Sequence, residues 1–87
     1  MKYLNKFTEE EVLVAKNEKD SLQEDWVQNA FQEGILRKGV NEGELTLATP
    51  YDVLIVEPND YIACNQNQEF YMVKSSDFDN VFEKIDE

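Results

Sequence analysis

An α+β fold is predicted: a small antiparallel β-meander of three to five strands, packed against one helix from the N-terminal half and a short C-terminal helix. Residues 44–73 read as three consecutive strands, 44–49, 53–57 and 61–73, the last broken once. Each break carries turn residues, namely Pro50-Tyr51-Asp52, Pro58-Asn59-Asp60 and Asn65-Gln66-Asn67-Gln68. Proline presets φ at the first central turn position, and Asn and Asp tolerate left-handed backbone, so apolar runs this short and this separated form hairpins rather than helices. Leu22, Trp26, Val27, Ala30, Phe31 and Ile35 recur at helical spacing, and Phe78, Val81, Phe82 and Ile85 repeat the pattern near the C-terminus. The 87 residues make a single domain, 1–87, with room for one core.

Taken in order, Tyr3, Leu4 and Phe7 lead into Thr8-Glu9-Glu10-Glu11, which matches a helix capping box. A strand over 11–16 is the preferred reading. Val12, Leu13 and Val14 suit a pleated surface, and the run stops at Asn17, too soon for a stable helix. Ser21-Leu22-Gln23-Glu24 is a second capping-box match and opens the strongest helix in the chain. Its polar face holds Gln23, Glu24, Asp25, Gln28, Gln32 and Glu33, and Gly34 or Gly39 ends it. Arg37 and Lys38 are expected at its carbonyl end, where cations suit the helix dipole. Trp26 and Phe31 lie on the apolar stripe and are expected to anchor the core.

Residues 40–43 form a polar connection into the sheet. Leu45, Leu47 and Thr49 alternate with Glu44, Thr46 and Ala48, so the first strand should show one face to water. Val53-Leu54-Ile55-Val56 is apolar on both faces and is expected at the sheet's centre. Phe70 and Met72 alternate with Tyr71 and Val73, which gives that strand two apolar faces. One face is expected to pack on the helix. The other requires the final helix, a partner, or a second copy of the chain in a homodimer. In the closing segment Ser75-Ser76 supplies an N-cap, and Asp77 and Asp79 occupy the first turn. A helix of about nine residues does not stand alone in water, so Phe78 and Phe82 must dock on the sheet.

The composition bounds function. Nineteen Asp and Glu stand against eight Lys and Arg, with no His, for a formal charge of −11. Such a surface repels nucleic-acid phosphates and anionic lipid and favours a basic partner, although solubility alone is the plainer explanation. No long apolar run is present, and Met1 to Lys6 leads into none, so neither a membrane span nor a signal peptide is expected and the location is expected to be cytoplasmic. Cys64 is the only cysteine, and its alternation with Ala63 and Tyr61 reads as a small buried strand residue rather than a reactive thiol.

There is no Ser-centred elbow, glycine-rich phosphate loop, Cys pair or metal-ligand spacing, so neither enzyme chemistry nor a cofactor or metal is expected. Asp52, Glu57 and Asp60 are candidates to converge at one end of the meander around a divalent ion. Turn formation and solvation account for them more simply.

Several of these residues together resemble a family of small phage and prophage proteins. The resemblance is carried by Met1-Lys2-Tyr3, Leu45-Thr46-Leu47-Ala48-Thr49, Val56-Glu57-Pro58-Asn59-Asp60-Tyr61-Ile62, Glu69-Phe70-Tyr71-Met72-Val73-Lys74 and Phe78 with Phe82-Glu83-Lys84. The family's hallmark is a Pro-Gly-Asp-Tyr or Pro-Gly-Asp-Trp turn, a Gly-Glu-aromatic-Tyr strand and a closing Phe-Glu-x-Tyr-Glu segment. Here Asn59 and Gln68 replace the two glycines, and Ile85-Asp86 replaces the closing Thr-Tyr. Asn is the next best residue for positive φ, so the turn at Asn59 is expected to be kept. The resemblance implies a phage origin and a small α+β fold, and no catalytic residue.

Two functional expectations follow. In the first, the chain is an acidic inhibitor that occupies the nucleic-acid-binding surface of a host defence protein, such as a CRISPR effector or restriction factor. It binds no nucleic acid directly, and Glu9, Glu10, Glu11, Glu24, Asp25, Glu42, Glu44, Asp77 and Asp79 make the contacts. In the second, an oligomer sequesters a nucleotide signal between Tyr51, Tyr61, Tyr71, Arg37, Lys38 and Lys74. A regulatory or structural interaction module is the blander alternative.

Overall fold

The computed structural model describes residues 1–85, and among these the short β-rich runs become eight strands. In chain order they are β1 (Lys2–Asn5), β2 (Glu11–Lys16), β3 (Leu36–Lys38), β4 (Leu45–Ala48), β5 (Val53–Val56), β6 (Tyr61–Cys64), β7 (Phe70–Val73) and β8 (Phe82–Lys84). Helix α1 (Asp25–Gln32) separates β2 from β3, and a single turn, α2 (Phe78–Val81), precedes β8. All pairing is antiparallel: a five-stranded sheet ordered β7-β6-β2-β1-β8 and a three-stranded sheet ordered β3-β4-β5. The fold class is therefore the expected α+β.

The strands of 44–73 do not form one continuous meander. β4 and β5 pair with each other and with β3, whereas β6 leaves to pair with β2. One junction residue explains the divergence. Asn17, at the end of β2, donates its carboxamide N–H groups to the carbonyls of Gly43 (2.9 Å), Val56 (3.1 Å) and Glu57 (3.1 Å). Its own N–H donates to the carbonyl of Asp60, and its carbonyl accepts from Asn59. The β5–β6 turn is thereby tied to the end of β2, and β6 runs back along β2 instead of β5.

Consequently β5 is an edge and not the centre. Val53 is 59% and Ile55 54% exposed, and β4 is the middle strand of its sheet. Alternation along β4 is as expected, with Leu45 and Leu47 buried and Ala48 exposed.

The helix is shorter than its apolar spacing indicates. Ser21–Gln23 form a 3-10 turn, and Ser21 Oγ donates to the Glu18 carboxylate at 2.9 Å instead of capping the helix, whose N-cap is Glu24. At the other end Gly34 (φ +78°) closes a Schellman motif: Ile35 N–H donates to Ala30 O at 2.9 Å and Gly34 N–H to Phe31 O at 3.1 Å. The chain then turns directly into β3, so Ile35 lies outside the helix and Arg37 and Lys38 sit on a strand rather than at the helix's carbonyl end.

Two apolar layers cover the five-stranded sheet. On one face Ala15 and Ile62 meet Val27 and Ala30 of α1 and Leu36, Leu45, Leu47 and Val56 of the small sheet, with Trp26 and Phe31 packed at the margin as expected. On the other face Val12, Val14, Ala63, Val73 and Phe82 lie beneath Tyr3, Tyr61, Tyr71, Phe78 and Val81. Cys64 is buried on β6.

The closing helix is reduced to the 3-10 turn Ser75–Asp77 and α2, after which Phe82 starts a strand beside β1. Ser75 and Ser76 make no side-chain cap, and Asp77 stands at the N-cap of α2. Ile85 follows β8 outside any helix, and Asp86 lies outside the described residues. Both Phe rings dock as expected: Phe78 stacks on Tyr61 at 4.0 Å between centroids, and Phe82 is buried.

Candidate functional site

Turn chemistry places the carboxylates. In the β1–β2 connection the side-chain oxygen of buried Asn5 accepts from the N–H groups of Phe7 (2.9 Å) and Thr8 (3.2 Å), and Glu9 takes a left-handed conformation (φ 59°). Asn5 Nδ2 donates to the Tyr71 hydroxyl at 2.9 Å, so the turn carrying Glu9, Glu10 and Glu11 is anchored to the aromatic layer. α2 lies beside this turn. Lys6 N–H donates to Val81 O at 2.8 Å and Lys6 Nζ to Asp79 O at 2.7 Å, while Phe7 shares a groove with Asp77, Asn80 and Val81. Asp77 and Asp79 thus belong with Glu9, Glu10 and Glu11.

Glu24 and Asp25 lie elsewhere, at the start of α1, where Glu24 accepts a hydrogen bond from the amino group of Met1. That amino group also reaches Val14 O, which puts it at the end of β1 opposite the Glu9 turn, a strand length of about 13 Å away. Glu42 and Glu44 border a third region, the β3–β4 connection, where the Glu44 carboxylate accepts from Val40 N–H and Asn41 Nδ2, both at 3.2 Å. Glu18 lines the grooves next to both Glu24 and Glu44 and links those two regions. The nine expected contact residues therefore fall into two groups, one around Phe7 and one around the 3-10 turn at Ser21–Gln23. Among the described residues the ion-paired carboxylates are Glu18, Glu24, Glu57 and Asp60.

Asp52, Glu57 and Asp60 do not converge on a cation site. Asp52, at the start of β5, accepts from its neighbour Val53 N–H at 2.7 Å. Glu57 and Asp60, at the other end, both accept from Lys74 Nζ, at 3.2 and 3.1 Å. Asp60 is buried and also accepts from the N–H groups of Glu57 and Ser75. Its bonds to Lys74, followed by those of Glu57, raise the Lys74 pKa above the usual lysine value. Among the described residues no group of three or more His, Cys, Asp or Glu has metal-holding geometry.

The tyrosines also separate. Tyr51 is 96% exposed at the tip of the β4–β5 turn, whereas Tyr61 and Tyr71 are packed in the aromatic layer against Phe78 and Phe82. Burial raises the Tyr71 pKa, with the Asn5 hydrogen bond opposing and the nearby Glu10 charge adding to the shift. Arg37 and Lys38 lie on β3, the far edge of the small sheet from β5, and Lys74 is held at the Asp60 junction. No single site contains the six residues of the nucleotide expectation.

Sequence reasoning missed the free edge of β5. Thr49 N–H bonds Asp52 O at 2.8 Å, and the ladder pairs Leu47 with Leu54 and Leu45 with Val56. Alternation of the antiparallel ladder then turns the backbone groups of Val53 and Ile55 away from β4. Side chains alternate as well: Leu54 and Val56 face the core, while Val53 and Ile55 stand on the open face beside Ala48, Thr46 and Arg37. The signal was present in Val53-Leu54-Ile55-Val56, but β-branched residues favour strands whether buried or not. A cleft of about 620 Å³ adjoins this face, lined in part by Ile35, Pro50, Tyr51 and Phe70.

Compared with family models, curated proteins and solved structures, the chain matches none. No helix among the described residues is long and apolar enough to cross a membrane.

Proposed function

We propose that this chain is a non-enzymatic accessory protein of phage origin that acts in the host cytoplasm, where it binds a basic, nucleic-acid-binding defence protein and places carboxylates where phosphates would lie. The observation that carries this reading is unbalanced charge. The formal charge is −11 on 87 residues, and most carboxylates among the described residues make no ion pair, Glu9, Glu10, Glu11, Asp77 and Asp79 among them. Two acidic groups, one at each end of β1, give a basic groove two places to contact. The turn resembling that of small phage proteins supports the origin.

Affinity capture from host lysate, repeated at about 50 mM and about 500 mM salt with the eluted proteins identified by mass, tests it. A basic protein held at low salt, released at high salt and prevented by the chain from binding its nucleic acid is the expected outcome. Retention that ignores salt counts against the reading, because contacts that imitate phosphates are screened by ions.

A further inference from the structure

The edge of β5 deepens the reading of a basic protein partner and rests on it. We propose that this edge receives an extended segment of that partner, apolar at alternate positions in its middle and carrying Lys or Arg at both ends, which joins the small sheet as a fourth strand.

Three observations meet there. Among the described residues the outward N–H and C=O of Ile55 and the outward C=O of Val53 take no hydrogen bond, whereas the N–H groups bounding them are taken, Val53 by Asp52 Oδ1 and Glu57 by Asp60 Oδ2. An incoming strand is thereby registered on Ile55. Beside that window Val53, Ile55 and Tyr51 expose apolar surface, and the strand carries no charged residue to deter pairing. Two of the other edges carry charge, β3 with Arg37 and Lys38 and β8 with Glu83 and Lys84, while the side chains of β7 are half-buried or buried and offer less apolar surface than Val53 and Ile55.

Charge then selects the occupant. The apolar stretch is bounded by Asp52 at one end and, at the other, by Glu57, which shares the single cation Lys74 with Asp60. Both ends therefore carry excess negative charge, and cations at both ends of an added strand meet a carboxylate whichever way it runs. A second copy is a poor occupant. Antiparallel self-pairing about Ile55 sets Val53 opposite Glu57 and Asp52 opposite Pro58. This brings two carboxylates together at each end, sets the already bound N–H groups of Val53 and Glu57 against each other, and joins two chains of charge −11.

The test uses the whole chain and the synthetic peptide Lys-Thr-Val-Thr-Val-Thr-Val-Thr-Lys. Amide NMR shifts concentrated at residues 52–57 are expected on titration, with affinity falling as salt rises. Methylating the peptide's central backbone nitrogens, or making Ile55→Pro, is expected to weaken binding at least about tenfold. Proline is tolerated where the lost N–H faces solvent, and Ile55→Lys, which keeps every backbone group, is a second variant that guards the edge. Asp52→Asn with Glu57→Gln is expected to cost about fivefold and flatten the salt dependence.

Shifts confined to other residues, binding indifferent to both Ile55 variants, or self-association that Ile55→Lys abolishes would each overturn the proposal. The two readings fail differently. Salt-sensitive capture of a basic protein by Ile55→Lys and unaltered chain alike removes the edge and keeps the basic partner; salt-insensitive capture by the unaltered chain removes the basic partner itself.

Discussion

Single residues in this fold are constrained most where the backbone turns left-handed. Asn59 (φ 73°) and Gln68 (φ 62°) both take the left-handed conformation that glycine adopts most readily. Asn bears that geometry with little strain, whereas Gln, whose longer side chain is rarely found there, costs roughly 1 kcal/mol. Gln68→Gly is accordingly expected to stabilise the protein by about 1 kcal/mol in denaturant titration, and Asn59→Gly to change little. Asn17 sits at the opposite extreme. Its carboxamide serves three carbonyls, and Asn17→Ala is expected to remove about 2 kcal/mol by taking one donor from each, although Glu57 O keeps its bond from Asp60 N–H.

Cys64 and Lys74, together with Tyr71, which burial also raises, set the alkaline behaviour. Burial raises the Cys64 thiol, so the unfolded chain loses that proton first, and stability falls as pH rises above the unfolded value of about 8.5. Lys74 is raised by Asp60 and Glu57. Its contribution is complete below the unfolded lysine value of about 10.4 and is lost as pH climbs through the higher folded one. Thermal melts should therefore be flat near neutrality and decline above pH ~8.5, and Cys64→Ala should delay the decline.

At the scale of elements, length decides what stands alone. The one-turn α2 has no independent stability and is held by Phe78 and Phe82 against Tyr3, Tyr61 and Tyr71. Phe82→Ala is expected to cost about 3–4 kcal/mol. Against a total of roughly 4–13 kcal/mol for a domain of this size, that is a large share, and it should appear as a lower midpoint in denaturant titration followed by near-ultraviolet dichroism. Phe7→Ala, on a ring 76% exposed, should leave stability within about 0.5 kcal/mol. The α1 helix could be located from its apolar spacing, but its ends could not. Leu22 and Ile35 continue the helical period although one lies in a 3-10 turn and the other beyond the Schellman motif, because periodicity records which residues face the core and not the backbone that brings them there.

For the whole molecule the governing quantity is charge. Eleven net negative charges on a body with a radius of gyration of 12.2 Å repel one another, and few of them are paired. The melting temperature is expected to rise as salt increases from about 10 to about 150 mM, since the screening length falls to near the molecule's own dimensions. Replacing Glu9, Glu10 and Glu11 together by Gln should raise it further at low salt while weakening capture of a basic protein. A single substitution set thus separates the surface's effect on folding from its effect on binding.

Local composition alone determined the α+β class, the strand over Glu11–Lys16, the turns at Pro50, Pro58 and Asn65, the apolar face of α1 and the acidic surface, because each depends on residues close together in the chain. Tertiary structure decided the rest. Whether β6 continued beside β5 or crossed to β2 turned on Asn17, forty residues from Glu57, whose carbonyl it binds. Equally, only the strand order shows that Val53 and Ile55 face outward, since a β-branched side chain favours an extended backbone with or without a neighbour to cover it.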